Sequence, residues 1–457
     1  MSEEKDYYLE FLQLNAWDRL KRVEEILDYF VAGEKNNKLL LFFLILGDLH
    51  PNYKSFKIYR GDPGGGKNVV ANAVLNLFPA NKVYVLDGAT AKALNYDEDI
   101  KESELVYLRE LEKHESVIEL LKGLYNADGR IFKETVQDKD SKAHYVKHHE
   151  ISRKGILTTF SFENIAADIE SRSWMLVPDQ TYEQTRKVIK FYIDKEKTLI
   201  DRVLTEKEIK NRCFFISKCI EKLDFGYDIY IPYIEQLEVL LPEIKLNVRR
   251  DREKLFNLIK IITLWNQYNR RGLELNGTKF LFSEYTDLKM SLEICQDLFI
   301  NLVLHIDDIK RHILDFMGVQ KKGDKKTVEN NSIMNYSGDD ELMVAQELFK
   351  QKYIETEVVN KFTVTEIYEE INTKATVSRK TVSNKLHDLF YEGYLLQEKE
   401  KNKYYYTKIR DYNLIKMLNL DEIQEKINGI TDQAYIFYSN KTGEILETTV
   451  EEDEDEF

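Results

Sequence analysis

Cysteine is scarce in this chain: three in 457 residues, Cys213, Cys219 and Cys295. They form neither a disulfide framework nor a metal-ligand pattern, so they read as reduced core residues. No apolar run approaches the ~20 residues that cross a bilayer. The most apolar stretch, Leu39–Leu46, is far too short. The opening MSEEKDYYLEFL does not read as a secretory signal. Basic residues are the minority, 66 Lys and Arg against 80 Asp and Glu, for a formal net charge of −14. Part of that excess is the tail Glu451-Glu452-Asp453-Glu454-Asp455-Glu456, so local basic patches, and with them nucleic acid, stay open. The expectation is a soluble cytoplasmic protein of more than one domain, with no membrane partner.

What is present centres on Lys57–Phe78, KIYRGDPGGGKNVVANAVLNLF. Lys57-Ile58-Tyr59 has the look of a buried strand. Gly61-Asp62-Pro63-Gly64-Gly65-Gly66-Lys67 is a glycine-dense turn. Val69, Val70, Ala73, Val74 and Leu77 then recur at helical spacing. Strand, Gly-x-x-x-x-Gly-Lys loop and helix make a P-loop, with Asn68 in place of the usual Ser or Thr. Glycines let successive N–H groups face phosphate oxygens, the helix N-terminus adds its positive end, and Lys67 reaches the β and γ phosphates.

In chain order, residues 1–54 read as a helical segment in which Trp17, Leu20, Val23, Ile26, Leu27 and Phe30 share a face. Residues 55–180 alternate strand and helix signals, which indicates a parallel sheet with flanking helices. Its strands are expected at Val83–Asp87, Leu105–Leu108, Gly155–Phe160 and Trp174–Val177. Residues 181–317 look wholly helical, with Pro242 and Gly277 as breakers. Residues 318–340 read as a polar linker. Residues 341–410 read as three helices (Leu342–Val359, Val364–Ile371, Ser378–Tyr391) and a hairpin, the winged form of the helix-turn-helix. Residues 411–457 read as a short helix and an acidic tail.

Hydrolysis at a P-loop needs a carboxylate on a neighbouring strand. Asp87 ends one strand, but at a distance that suits a ribose-binding acid of another loop type. Glu110 follows Leu105–Leu108 and Arg109, at the sheet edge where ligands bind in open α/β folds, and is the better candidate to orient a water. Arg172, in Ser171-Arg172-Ser173 before an apolar strand, suits either a surface salt bridge or a contact with a neighbouring subunit's γ-phosphate. In Ser378–Lys385 the apolar Val382, Leu386, Leu389 and Phe390 turn inward. Arg379, Lys380, Ser383, Asn384 and Lys385 are left outward for phosphates and base edges, with Lys403 at the hairpin tip. Winged folds also bind proteins, so both uses stay open.

These motifs resemble those of AAA+ ATPases. Gly61-Asp62-Pro63-Gly64 is similar to the P-loop opening of the minichromosome maintenance (MCM) helicases. Leu246–Asp251 leading into Leu255–Arg271, with Leu264-Trp265-Asn266-Gln267, resembles the lid helix of the MCM-like and poxvirus primase–helicase type found in viruses and plasmids. The resemblance covers about residues 55–300. It implies an α/β P-loop core, an all-α lid, a C-terminal winged helix-turn-helix, and a hexameric ring with ATP and Mg2+ at subunit interfaces. Glu110 would be the hydrolytic glutamate, Arg172 the arginine finger, Thr159 or Ser161 the sensor-1 group, and Arg249 or Arg250 sensor 2. Asn68 and Glu110 would stand nearest the metal. The stretch Lys133–Lys147 would be a hairpin presenting Lys139, Lys142, Lys147, His148 and His149 to DNA in the channel. Two departures stand out: Asn68 replaces the hydroxyl that ligates magnesium, and Arg109 replaces the metal-holding aspartate. An ATP-dependent DNA helicase or translocase of viral, plasmid or mobile-element replication is the first expectation. An ATP-gated initiator or loader with slow hydrolysis is the second.

Overall fold

The computed structural model describes residues 7–62, 64–87, 99–109, 115–126, 131–137, 144–150, 152–161, 167–197, 199–241, 248–302, 306–318, 361–374, 377–401, 403–409, 412–431 and 435–436. The chain forms two compact units, Met1–Cys295 with Leu420–Phe457, and Gln296–Asn419.

The first unit is built on a parallel sheet. Its strands are β1 (Phe56–Arg60), β2 (Val83–Asp87) and β3 (Leu105–Arg109). An antiparallel hairpin, β4 (Ile131–Gln137) with β5 (His144–Glu150), intervenes before β6 (Gly155–Phe160) and β7 (Ser173–Leu176) complete the sheet. The order β2-β3-β6-β1-β7 puts β1 between β6 and β7. This five-stranded parallel sheet with flanking helices is the α/β core expected of residues 55–180, and β2 and β6 keep their expected bounds.

The apolar run Leu39–Leu46 lies within the helix Lys35–Asp48 and is buried on every side. Phe42 packs on Phe78 and Trp265, each at 5.4 Å between ring centroids. The N-terminal segment is therefore part of the core. Leu20, Val23, Ile26 and Leu27 of the helix Ala16–Phe30 are buried as expected, whereas Trp17 stays partly exposed. At its C-terminal end the helix Lys35–Asp48 meets the sheet through a charge pair. Lys57 Nζ bonds the Asp48 carboxylate, both side chains being wholly buried, and also the carbonyl of Ser55 at 3.0 Å. Burial raises the Asp48 pKa and lowers that of Lys57, each opposed by the partner's charge. Gly155 starts β6 directly against Asp48, where an added Cβ would stand 2.1 Å from Asp48 Cγ.

The wholly helical reading of 181–317 is corrected. Helices Tyr182–Lys197, Leu199–Glu221, Val248–Trp265 and Tyr285–Leu302 are present, but so are β8 (Asp228–Tyr230), β9 (Arg271–Leu275) and β10 (Thr278–Phe282). The physical reason is local: Asn276 (φ 50°) and Gly277 (φ 77°) make the two-residue turn that joins antiparallel β9 and β10. Gly277 was read as a helix breaker when Asn-Gly is a hairpin signal. The three cysteines are buried and outside any disulfide, and among the described residues no cluster of His, Cys, Asp and Glu could hold a metal and no helix is long and apolar enough to cross a membrane.

In the second unit, helices Asp308–Gly318, Val364–Lys374 and Arg379–Tyr391 pack beside a sheet of β11 (Phe362–Thr363), β12 (Leu395–Glu400) and β13 (Lys403–Lys408), ordered β11-β13-β12. The expected first helix, 342–359, lies outside the described residues. The helix that packs on the other two is instead Asp308–Gly318, all but its last residue in the segment 181–317 read as the lid. Ile313, Leu314 and Met317 are buried, and Phe316 meets Phe362 at 4.9 Å. In the first unit, the helix Leu420–Thr431 precedes β14 (Tyr435–Ile436), which pairs with β9.

The buried pair yields a stability prediction. Asp48→Asn leaves Lys57 charged in the core and should cost about 3–5 kcal/mol. Gly155→Ala, which drives a methyl into Asp48, should cost about 1–3 kcal/mol. Urea denaturation of both variants checks this, and unchanged midpoints would refute the anchoring role.

Candidate functional site

The loop between β1 and the helix Lys67–Leu75 sits at the C-terminal edge of the parallel sheet, the edge at which open α/β sheets bind ligands. Gly61 N–H donates to the carbonyl of Phe160 at 3.1 Å, tying the loop to the end of β6. Gly64 and Gly66 have φ of +83° and +81°, which only glycine adopts without strain, and no atom lies within 4 Å of a Cβ built on either. Lys67 opens the helix. Its ammonium is held inside the loop, donating to the carbonyls of Gly61 and, at 2.9 Å, Asp62. Gly65 N–H donates to the same Asp62 carbonyl at 3.1 Å. Pro63 lies outside the described residues.

Two neighbours of this loop escaped sequence reasoning. Pro178 packs so closely that a Cβ on Gly61 would stand 2.8 Å from its Cδ, and Gln180 donates to the Asp62 carboxylate at 3.5 Å. Both follow β7, which is far from the loop in sequence but adjacent to β1 in the sheet.

The helix after the loop is stitched to β3. Tyr107 Oη donates to Asn68 Oδ1 at 3.4 Å. Arg109 Nη2 donates to Asn72 Oδ1 at 3.2 Å, and its guanidinium lies 5.8 Å from the Tyr107 ring centre. Tyr107 and Asn72 were also missed; their signal was spacing, with Asn68 and Asn72 one helical turn apart and Tyr107 and Arg109 on one strand face. Magnesium is bound by oxygen, mostly anionic. Of the two residues expected nearest the metal, Asn68 offers an amide oxygen engaged by a phenol, and where the metal-holding aspartate would stand before Glu110 the chain has the Arg109 guanidinium. These residues do not fit Mg2+. Glu110, the expected hydrolytic group, lies outside the described residues. Asp87 stands opposite Arg109 in the strand register.

Of the two sensor-1 candidates, Thr159 is wholly buried in β6 beside Tyr59, while Ser161 is exposed just past β6, one residue beyond the Phe160 carbonyl that holds Gly61. Ser161 is the one at the loop's edge.

Arg172 and Arg250 are not at this loop. Arg172 ends the helix Ala167–Arg172 and leads into the N-terminal end of β7, beside the start of β1. Arg250 Nη1 donates to Ser171 Oγ. Both line a pocket of about 190 Å3 with Lys54, Tyr125, Trp174 and Lys254. A five-residue strand, ~16 Å, separates that edge of the sheet from the loop. For Arg249 only the backbone is described.

The hairpin β4–β5 forms where two β-prone arms were expected. Lys147 stands opposite Glu134, and His148 opposite Lys133. Lys139 and Lys142 lie outside the described residues, and for Lys147, His148 and His149 only the backbone is described.

In the second unit, Ser378 caps the helix Arg379–Tyr391 by accepting from Thr381 N–H at 3.1 Å. Val382, Leu386 and Leu389 are buried, and Arg379, Lys380, Ser383, Asn384 and Lys403 are exposed. Arg379 donates to Thr365 Oγ1 at 2.8 Å. Lys385 differs from its expected role. It is paired with Asp307 at 2.5 Å, and this hydrogen bond raises its pKa.

No protein-family model and no curated protein matches the chain. Solved structures to which the chain is similar include a full-length MCM homolog from Methanopyrus kandleri, at 10% identity and TM-score 0.40 over 66% of this chain and 63% of that one. JCV helicase matches at 12% identity and TM-score 0.27 over 47% and 62%. Cdc6p from Pyrobaculum aerophilum matches at 12% identity and TM-score 0.22 over 87% and 95%. The chain spans less than two thirds of the length of the first two.

The separation of the two edges gives a prediction. Lys67→Ala should weaken ATP binding by about 10- to 100-fold. Arg172→Ala should leave the affinity of the isolated subunit unchanged. Titration calorimetry at low protein concentration checks both, and a loss in Arg172→Ala would refute the placement.

Proposed function

We propose that the chain is an AAA+-type ATP-binding protein of DNA replication that acts on DNA as a helicase or translocase. The observation that carries this reading is the loop itself: two glycines in positive φ and a lysine at a helix N-terminus, at the C-terminal edge of a parallel sheet. DNA contact is supported by the exposed Arg379, Lys380, Ser383 and Asn384 on one capped helix of a winged helix-turn-helix arrangement, and by the hairpin β4–β5 before β6. The placement of Arg172 and Arg250 at the opposite edge suits an assembly in which they would meet a neighbouring subunit's phosphates.

One observation favours the second reading, an ATP-gated initiator or loader with slow turnover. Asn68 on the helix accepts from Tyr107 of β3, and Arg109 of β3 donates to Asn72 on the helix, where a metal site would offer free oxygens. ATP turnover with and without DNA, on the wild type and Glu110→Gln, separates the two readings, with assembly followed by mass photometry. DNA-stimulated turnover by a hexamer, lost in Glu110→Gln, supports the motor. ATP binding with negligible turnover in both supports the loader. Absence of ATP binding refutes both.

The DNA face is tested separately. Arg379→Ala and Lys380→Ala should each reduce the salt slope of DNA binding by about one unit, and Lys385→Ala, already paired with Asp307, should not change it. A slope unchanged in the first two variants would refute the assignment.

A further inference from the structure

We infer that the loop Gly61–Lys67 takes a nucleoside triphosphate without a divalent cation, Arg109 supplying the positive charge that the ion would bring. The inference rests on the phosphate-binding reading of the loop and concerns only what balances the bound phosphates.

Its basis is a four-residue layer between the helix Lys67–Leu75 and β3. Asn68 and Asn72 are one turn apart, and Tyr107 and Arg109 are two residues apart on the strand. A helical turn and a two-residue strand step are both ~6 Å, so the two pairs stand side by side as a ladder. Tyr107 bonds Asn68, Arg109 bonds Asn72, and the guanidinium lies over the tyrosine ring. Among the described residues, Asn68 and Arg109, which stand where a P-loop site would present oxygen to Mg2+, are thereby each bonded to a partner within the chain, and one of them carries a positive charge. A second cation of higher charge at that place is opposed by the first.

An arginine at this place meets the same electrostatic need. Guanidinium stays protonated at any working pH and binds phosphate oxygens through a planar fork of donors. Arg109 ends β3 at the same sheet edge as the loop. Exchange of its hydrogen bond to Asn72 for one to a phosphate keeps the charge within the layer. Lys67, the helix N-terminus and Arg109 then share the anion among three positive groups.

The test compares the affinity of the full chain for a fluorescent ATP analogue in excess EDTA and in excess MgCl2. The expected affinities agree within about threefold. Binding seen only with MgCl2 overturns the inference and leaves the phosphate-binding reading standing, whereas no binding in either buffer overturns both. Arg109→Ala should lose about tenfold in EDTA. The double variant Asn68→Thr with Arg109→Asp should bind in MgCl2 and fail in EDTA. Wild-type affinity of Arg109→Ala in EDTA would overturn the role of Arg109. Thermal melts confirm that both variants are folded, and the wild-type comparison needs neither.

Discussion

A charge pair shut away from water fixes the parallel sheet of this protein to the helix packed on it. Asp48, at the end of a helix buried on all sides, meets Lys57 in the first turn of pleat of β1, and Gly155 of β6 leaves room for the carboxylate. Such a pair contributes little net stability by itself, because desolvation offsets most of the attraction, but removal of one member leaves a naked charge. Its effect is therefore positional. Helix, β1 and β6 are locked at one edge of the sheet, and four residues beyond Lys57 the chain reaches the loop at Gly61. The carbonyl of Phe160, at the far end of β6, then receives Gly61. The loop is thus aligned at both ends of the same two strands.

A second buried network does the same for the other sheet. Arg270 grips Asp287 through two bonds of 2.6 and 2.7 Å, and Asn266 donates to the same carboxylate at 2.6 Å. Arg19 reaches in from the N-terminal helices to Asn266 and, at 3.0 Å, to the carbonyl of Trp265. Burial, and then the charge of Arg270, lowers the Arg19 pKa to about 9. Arg270 takes the carboxylates of Asp287 and Glu284, and Arg19 must turn to the amide oxygen of Asn266 and to backbone carbonyls. That requirement explains why the N-terminal segment belongs to the core.

The parts legible in the sequence were those fixed by local pattern. Apolar runs of five or six residues ending at the sheet edge gave β2, β3 and β6, and Ser378 with its inward-facing apolar residues gave the helix Arg379–Tyr391. Length and spacing alone determine such features. What could not be read depends on partners distant in the chain. Lys385 looked like a DNA contact because its helix position is outward, yet Asp307 lies within reach only after folding. The packing of the helix Asp308–Gly318 was hidden for the same reason. β9 and β10 were missed differently. Their apolar content suited either period, and the turn residues Asn276 and Gly277 should have decided it.

Arg109 and Asn68 looked like two independent losses in the sequence, each damaging a metal site. In the structure they are halves of one arrangement. Asn68 accepts from Tyr107 while Arg109, on the same strand face, donates to Asn72 one helical turn on. Together the four side chains bridge strand and helix in the manner that a metal ion otherwise bridges strand and loop. The bridge is formed on folding, before any ligand arrives, so the position of the helix N-terminus is set by the protein alone. A site whose geometry is preset in this way loses less ordering entropy on binding. The same four side chains tie the helix that follows the loop to β3, the strand that leads to Glu110.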